Sequence, residues 1–388
     1  MPPHELNHYR FPWRNSNQFQ LRIDGQEFFP AMLDAIHKAH DCIVLEMYLV
    51  ESGKTLTQFI NALLQAAERG VHVWLLFDDF GAHNLSKTDR QRLTSHPNIL
   101  LEFYNPLHYG KWRGLLFRDH RKLLLVDNRV AFIGGAGICD HFAASNKPSH
   151  YWHDIMVQLE GECVQDWRDL FMDNWPGNFD AIDCLQSLPP PPPANHQTQI
   201  GRVTVSQLSN HAEMQRSLVK RLKSAEHWVW ITTAYFVPSW KLRSALKHAA
   251  EKGLDVRLIL PGPHTDHPAI RHAGRRFYYN LLRHGVRIFE YQPRFTHAKA
   301  CLCDHWCSIG SSNLDRWNLL WNLEGNQEVD DQTFALELKN MLERDMEQCY
   351  EISYASWQAR PWHRRLLEWF WGRVDVWLAQ LSLRGRRN

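Results

Sequence analysis

The sequence has little net charge, no long apolar run and no export signal. Its 388 residues carry 44 Lys and Arg against 42 Asp and Glu, a formal net charge of +2, so overall charge gives no support for a nucleic-acid partner. Because no window reaches about 18 uninterrupted apolar residues, we expect no transmembrane helix. The first residues, MPPHELNHYRFPWRNSN, contain neither an apolar segment nor a cleavage site, and we expect no signal peptide.

The sequence also lacks a disulfide framework, a usual metal-binding pattern and a nucleotide-binding loop. Eight cysteines are spread over the chain, and reduced thiols in a cytosol-facing protein are the expected state. Cys301, Cys303 and Cys307 lie close together, but their C-x-C-x3-C spacing is not a usual zinc pattern, so strand packing is favoured over metal ligation. No glycine-rich phosphate loop supports a kinase or P-loop transferase. We expect no metal and no cofactor.

What the sequence does contain is one pattern in two copies: His-x-Lys, four further residues, and Asp. The copies lie in FRDHRKLLLVDNRVAFIGG and FTHAKACLCDHWCSIGSSN. They comprise His120, Lys122 and Asp127 in the first copy, and His297, Lys299 and Asp304 in the second. Each copy leads into an apolar run and a glycine-containing turn. Because residues two apart in a strand point to one face, each His and Lys is expected to face the same cleft.

The two copies belong to a longer internal repeat. Residues 66–70 (AAERG) recur 183 positions later as 249–253 (AAEKG), and Glu102 in LLEFYNP matches Glu290 in RIFEYQP 188 positions later. Strand and helix patterns alternate in both halves, as in CIVLEMYLV, TLTQFINALLQAAERG and VHVWLLFDD. The sequence therefore predicts an α/β fold of two similar domains, each a mixed β-sheet flanked by helices and related by a pseudo-twofold axis.

A run of consecutive prolines separates the halves. The prolines occupy residues 189–193 in SLPPPPPAN, and such a run favours extended polyproline geometry and a stiff linker. We expect one domain at residues 1–185 and another at 200–350. A linker at 186–199 would join them, and a Trp- and Arg-rich tail at 351–388 would follow.

Paired His and Lys side chains suit phosphodiester chemistry. Neutral histidine is a nucleophile near pH 7, and its conjugate acid can protonate a leaving group. Two histidines in one cleft supply an attacking group and an acid that later serves as a base. Lys122 and Lys299 place positive charge where a phosphoryl group spreads negative charge. The turns after the motifs contain candidate substrate-binding residues, namely Gly135, Ser311, Ser312 and Asn313.

The paired motifs resemble those of the phospholipase D superfamily over roughly residues 17–335, and the run GSSNLDRWNLLWNLEGNQEVDD looks most like bacterial cardiolipin synthases. The resemblance implies that both domains share one active site. It implies that His120 is the nucleophile, forming a phosphohistidine, and that His297 is the general acid and base. It also implies that the motif lysines hold the phosphate together with Asn313.

The resemblance assigns supporting roles to acidic residues as well. In the family, an acidic residue some way after each motif orients a histidine, and Asp154 and Glu324 match those positions. Glu328 competes with Glu324 for the second position. Asp127 and Asp304 are grouped here with the catalytic motifs, although in the family these positions are more often structural.

This chain departs from the family pattern in two respects. Residues 134–137 read GGAG, without the Asn that often follows the first Gly-Gly, so the second half has the fuller set of phosphate donors. The pair of N-terminal membrane helices found in one cardiolipin synthase subgroup is missing, and the chain resembles the shorter subgroup without them.

Two segments that mix apolar and cationic residues are candidates for membrane contact. One is the loop 105–118, which accounts for most of the extra length before the first motif. The other is the tail 361–388, which has an apolar stripe at helical spacing and arginines towards both ends. Packing on the protein itself is the alternative for both, and contact with an anionic lipid surface is favoured. We expect a peripheral protein on the cytoplasmic side of the bacterial inner membrane.

The favoured function is a transphosphatidylase that passes a phosphatidyl group to phosphatidylglycerol. The donor would be phosphatidylglycerol or phosphatidylethanolamine, and no nucleic-acid partner is expected. The alternative is a phospholipase D or nuclease of the same superfamily that uses water as acceptor. A non-catalytic descendant ranks last because both motifs are intact. The oligomeric state stays open.

Overall fold

The computed structural model describes residues 9–106, 117–143, 151–177, 182–194, 198–206, 213–315, 322–361 and 371. Within them, fifteen strands form one continuous mixed sheet and two short strands pair separately. The strands of the first half are β1 Arg14–Ile23, β2 Cys42–Met47, β3 His72–Asp78, β4 Ile99–Tyr104, β5 Lys122–Val126, β6 Val130–Gly134 and β7 Ile155–Gly161. Those of the second half are β8 Gln199–Ser206, β9 Trp228–Thr232, β10 Phe236–Val237, β11 Asp255–Pro261, β12 Arg287–Tyr291, β13 Ala300–Cys303, β14 Trp306–Gly310, β15 Leu314–Asp315, β16 Glu324–Asp330 and β17 Cys349–Ile352.

Helices cover both faces of this sheet. They are α1 Asp24–His37, α2 Lys54–Glu68, α3 Lys87–Leu93, α4 Cys163–Met172, α5 Asp183–Gln186, α6 Glu213–Ser224, α7 Trp240–Glu251, α8 Pro268–Arg275, α9 Tyr278–Arg283, α10 Gln332–Glu347 and α11 Tyr354–Gln358. None of the helices in the described ranges combines the length and the hydropathy of a membrane-spanning segment.

The strand order shows two similar halves that meet edge to edge. Along the sheet the order is β17-β12-β11-β9-β13-β14-β16-β8-β1-β7-β6-β5-β2-β3-β4. From the central β8–β1 pair outwards, both halves pass through equivalent strands, and β17 is an addition at the second edge. The predicted α/β fold with two similar halves is confirmed. The join through antiparallel β1 and β8 was not predicted, and the division at residues 186–199 stays a prediction.

The repeated sequence AAERG/AAEKG lies at the C-terminal end of an equivalent helix in each half. Buried apolar residues lie along one side of α2, which ends just before Gly70. Gly70 has φ of +96° and Gly253, just after α7, has φ of +91°. This left-handed conformation is costly for residues with a Cβ atom, so glycine terminates both helices. The following strand then enters the sheet parallel to its neighbour in each half.

The hydrophobic core has three parts, and one of them spans both halves. Separate clusters lie under α1 and α2 in the first half and under α6 and α7 in the second. On the opposite face, α4 and α10 share a single cluster. Phe19 of β1 packs edge-on against Phe334 of α10, with ring centroids 6.1 Å apart. Trp167 of α4 donates to the side-chain oxygen of Gln327 on β16 at 2.9 Å, so each half contributes a helix that binds the other.

A buried imidazole between two carboxylates also joins the halves. His153 Nδ1 lies 2.7 Å from Asp24 Oδ1, and its Nε2 lies 3.0 Å from Asp345 Oδ2. Arg294 donates to the second oxygen of Asp24 at 2.5 Å. Burial alone lowers the pKa of His153, but the charges of Asp345 and Asp24 raise it to about 10. The imidazole is therefore protonated at neutral pH and binds residues of both halves.

We expect His153→Gln to destabilise the protein by about 3 to 5 kcal/mol near pH 6.5, because buried Asp345 loses its cationic partner and Asp24 keeps only Arg294. The pKa of His153 is higher in the folded than in the unfolded chain. Its contribution is thus complete below about pH 6.5 and declines towards pH 10, by about 1.4 kcal/mol per pH unit. Denaturant unfolding at pH 6.5 and pH 9 measures this decline. His248→Gln, at an exposed position, is the control, and a penalty that does not change with pH would contradict the assignment.

Candidate active site

Each motif histidine is anchored by its backbone to the other half of the chain. The N–H of His120 donates to the carbonyl of Leu323 at 2.9 Å, and the N–H of His297 donates to the carbonyl of His153 at 2.7 Å. In both cases the accepting residue directly precedes the acidic residue that the histidine side chain contacts. The two contacts have the same form, as the pseudo-twofold relation requires.

The histidine side chains also contact the opposite half of the chain. His120 Nδ1 lies 3.0 Å from Glu324 Oε1, and His297 Nδ1 lies 2.7 Å from Asp154 Oδ2. The sequence predicted that these two acids orient histidines, but not that each acid serves the histidine of the opposite half. With Nδ1 held by a carboxylate, Nε2 is the ring nitrogen that remains for chemistry.

The residues directly after β6 and β14 lie against the two acids. Gly135 lines the same cavity as the histidines, and a Cβ there would lie 2.6 Å from Asp154 Oδ2, so a larger residue would displace the acid. The equivalent residue, Ser311, donates from its hydroxyl to Glu324 and accepts from the N–H of Gly325 at 3.1 Å. The structure shows the Ser311 hydroxyl bound to Glu324, and the predicted contact of Ser311 with substrate stays a prediction.

The motif lysines lie against their own histidines. Lys122 Nζ donates to the carbonyl of His120 at 2.5 Å, and Lys299 Nζ donates to the carbonyl of His297 at 2.5 Å. Lys299 Nζ is also 3.0 Å from Nδ1 and 3.1 Å from Nε2 of the His297 ring. Two amino groups are thus held beside the two motif histidines.

Burial controls the protonation of the site. Together with the charges of Lys122 and Lys299, it lowers the pKa of His120 well below its ordinary value. Burial and Lys299 lower the pKa of His297 to about 4. Burial also lowers the pKa of Lys122 to about 7 and of Lys299 to about 8, and raises the pKa of Glu324 to about 8. Both imidazoles are therefore neutral near pH 7, as a nucleophile and a base must be.

Both histidines open into one cavity of about 530 Å³. Its walls are largely apolar, and they include Phe142 and Trp152 of the first half and Ile270 of the second. Trp371, from the predicted membrane-contacting tail, lies at the same wall and packs against the core of the second half. A cavity with a lysine side chain in its lining and apolar residues in its walls suits an amphiphile with a phosphate group. The rest of the tail after residue 361, and loop residues 107–116, lie outside the described residues.

The third residue of each motif does not contact the histidines. Asp127 accepts hydrogen bonds from the backbone N–H groups of residues 40–42, at 2.8 to 2.9 Å. Asp304 accepts from those of residues 226–228, at 2.8 to 3.1 Å. Both aspartates have φ near +50° and follow the ends of β5 and β13 that are remote from the histidines. The structure corrects their grouping with the catalytic residues: each fastens a motif strand to the start of the neighbouring strand.

Three other predicted residues differ in their contacts. Glu328 accepts from Arg202 at 2.7 Å, so it is not the acid that orients a histidine. Ser312 donates its N–H to Asn326 at 3.2 Å and lines a small neighbouring pocket instead of the histidine cavity. Asn313 is fully buried, and neither atom of its amide has a hydrogen-bond partner among the described residues.

Two tyrosines that the sequence analysis did not identify flank the histidines. The ring of Tyr48 lies 4.7 Å from that of His120, and the ring of Tyr235 lies 6.5 Å from that of His297. The signal for them is the repeat of MYLV at 47–50 as AYFV at 234–237. These segments follow β2 and β9, the strands that pair with the motif strands.

Known proteins share this sequence pattern. The family model described as cardiolipin synthase, PLD-like domain, matches residues 32–157 and 218–346, one segment in each half. Cardiolipin synthase B of Salmonella typhimurium is 32% identical over 363 residues, covering 90% of this chain and 86% of that protein. Cardiolipin synthase A of Pseudomonas putida strain GB-1 is 32% identical over 352 residues, covering 89% and 71%.

Solved structures share the fold. The crystal structure of phosphatidylserine synthase from Haemophilus influenzae superposes with a TM-score of 0.71 at 14% identity, covering 96% of this chain and 97% of that one. Polyphosphate kinase from Porphyromonas gingivalis superposes with a TM-score of 0.57 at 17% identity, covering 87% and 49%. At such low identity these likenesses show the architecture alone. The two halves are phospholipase D-type folds.

We expect Asp154→Asn to lower kcat for phosphodiester cleavage by roughly 10²- to 10⁴-fold, with little change in KM. The amide cannot stabilise the imidazolium that forms on His297 when it takes a proton. Glu324→Gln should act in the same direction through His120. Steady-state kinetics with a chromogenic phosphodiester measures both. Asp34→Asn, at an exposed position on α1, is the control, and full kcat in a folded Asp154→Asn protein would refute the role.

Proposed function

This chain belongs to the family of cardiolipin synthases with phospholipase D-like domains, and we propose that it transfers a phosphatidyl group to phosphatidylglycerol through a phosphohistidine. The observation that carries the proposal is the pair of neutral histidines, each backed by an acid from the opposite half, in one cavity. Such a pair supplies a nucleophile and a general acid in the same site.

In the first step, His120 Nε2 attacks the phosphorus of the donor lipid. The bond to the head-group alcohol breaks, and His297 delivers the proton that this alcohol needs to leave. His297 has a pKa of about 4 while the site is empty, because burial and Lys299 both disfavour its charge. An anionic phosphodiester beside it favours the imidazolium and so raises this pKa.

In the second step, a hydroxyl of phosphatidylglycerol replaces the departed alcohol. His297 takes its proton, the oxygen attacks phosphorus, and the bond to His120 breaks to release cardiolipin. Lys122 and Lys299 stabilise the charge on the phosphoryl oxygens in both steps. The buried amide of Asn313, which has no partner among the described residues, is the further donor we assign to the phosphate, since a buried polar group without a partner is costly.

The direct test supplies the purified protein with vesicles of acyl-labelled phosphatidylglycerol. We expect cardiolipin and free glycerol, with activity that survives a chelator, because the proposed steps need no metal. His120→Ala and His297→Ala should each abolish turnover. Phosphatidic acid as the sole product would mean that water is the acceptor and would refute the proposed transfer to phosphatidylglycerol.

A trapping experiment separates the roles of the two histidines. With phosphatidylglycerol labelled at phosphorus and an alkaline quench, we expect label bound to the wild-type protein at His120. His297→Ala should acquire label more slowly, because the leaving alcohol lacks its acid, but should then keep it, because the acceptor lacks its base. His120→Ala should bind none. Label that survives in His120→Ala would reverse the assignment.

We also propose that the site works at the cytoplasmic face of the bacterial inner membrane, with the protein attached peripherally. The apolar wall of the cavity supports this, and the loop 105–118 and the tail 361–388 supply the cationic and aromatic residues that bind anionic lipid. Phosphatidylethanolamine is a second candidate donor, with ethanolamine as its leaving group.

Replacing Arg384, Arg386 and Arg387 together by Glu should weaken binding to phosphatidylglycerol vesicles by at least about 100-fold, since each basic residue near such a surface contributes about 1 kcal/mol. Vesicle co-sedimentation measures the change. Vesicles of zwitterionic lipid should show little difference between the two proteins, and unchanged binding to anionic vesicles would exclude this attachment.

A further inference from the structure

A tyrosine–aspartate pair lies in the cavity wall on the His297 side. Tyr235 donates from its hydroxyl to Asp266 Oδ2 at 2.5 Å, and both residues line the cavity with His297. Burial, together with the charge of Asp266, raises the pKa of Tyr235 well above its ordinary value, so the hydroxyl keeps its proton. The pair has no part in the two-step reaction described above.

Within the described residues, Asp266 forms no direct ion pair with a Lys or Arg, and its charge acts on Lys299 and His297 only from a distance. Its side chain is 22% exposed, and its remaining contact is with the exposed ring of His267, 3.8 Å from the same Oδ2. Because both contacts use Oδ2, Oδ1 is available to a hydrogen-bond donor in the cavity. A phosphate would be repelled from this place, so the part of the substrate that lies here must carry donors instead of negative charge.

Among the residues of the first half that the structure describes, no equivalent pair lines the cavity. Tyr48 occupies the position related to Tyr235, but its ring lies against His120 and 5.1 Å from Lys122 Nζ. Asp266 comes from the segment between β11 and α8. In the first half Asp78, the last residue of β3, instead accepts from the backbone N–H groups of Phe80 and Gly81. The two sides of the cavity therefore differ in their capacity to bind an alcohol.

From this asymmetry we infer that Asp266, supported by Tyr235, binds the second hydroxyl of a vicinal diol whose first hydroxyl attacks phosphorus. The inference rests on the proposed function and specifies its acceptor as a glycerol head group instead of a simple alcohol or water. His297 Nε2 takes the proton of the attacking hydroxyl. The new oxygen–phosphorus bond forms as the bond from phosphorus to His120 breaks. The neighbouring hydroxyl donates to Asp266 Oδ1 and keeps its proton throughout.

The test uses two soluble acceptors that differ by one hydroxyl, 1,2-propanediol and 1-propanol. They compete at equal concentration for the same phosphohistidine, formed from acyl-labelled phosphatidylglycerol in vesicles. The ratio of the two phosphatidyl products, measured by mass spectrometry, is independent of total activity. We expect the wild-type protein to favour the diol by roughly 10- to 100-fold, as a hydrogen bond to a charged group allows.

Asp266→Ala should bring the product ratio close to one while both products still form. Tyr235→Phe should lower the ratio less, because the carboxylate remains. Asp34→Asn, an exposed aspartate away from the cavity, should leave the ratio unchanged. A merely structural role for Asp266 would lower total turnover and leave the ratio as it is.

Two outcomes would overturn the inference. The first is a wild-type ratio near one, and the second is an Asp266→Ala protein that keeps the diol preference. If that Asp266→Ala protein also releases ethanolamine more slowly from phosphatidylethanolamine, the carboxylate binds the ammonium of a leaving group instead. If the wild-type protein forms phosphatidic acid but neither alcohol product, the proposed function itself fails, and that result is distinct from the other two.

Discussion

The crossed contacts between acids and histidines are the constraint on which the rest of the structure depends. His120 needs Glu324 from the second half, and His297 needs Asp154 from the first. A half on its own would leave its histidine without the acidic side chain that holds Nδ1. The edge-to-edge sheet, the shared core under α4 and α10 and the network around His153 all hold the halves at the separation that these short contacts need.

Burial of the histidines and lysines away from water determines their protonation states. Desolvation disfavours every charged form, so it keeps the imidazoles neutral and brings the pKa of Lys122 to about 7. An arriving phosphodiester carries the charge that makes the cationic forms favourable again. The same low-dielectric surroundings strengthen the attraction between lysine and phosphate. In the proposed reaction, substrate binding is thereby coupled to the protonation that catalysis needs.

Small departures from the pseudo-twofold symmetry distinguish the two sides of the cavity. Ser311 holds Glu324 with a hydroxyl, while the equivalent Gly135 offers only space beside Asp154. Tyr235 is paired with Asp266, and Tyr48 packs on His120. A transfer between two alcohols needs a side that holds the phosphoryl group and a side that accepts an alcohol. The duplicated fold supplies two similar sides, and these few residues make them different.

The sequence by itself determined the repeat and the α/β class, because strand and helix periodicity needs no distant contact. It also predicted the histidines and lysines from their repeated spacing, and the two acids from the family resemblance. Only the tertiary structure decided which acid serves which histidine, that Glu328 pairs with Arg202, and that Asp127 and Asp304 bind backbone at the remote ends of their strands. It also brought Asp266 beside Tyr235, 31 residues away in the chain. Such contacts depend on how separate elements pack, and no local pattern along the chain records that packing.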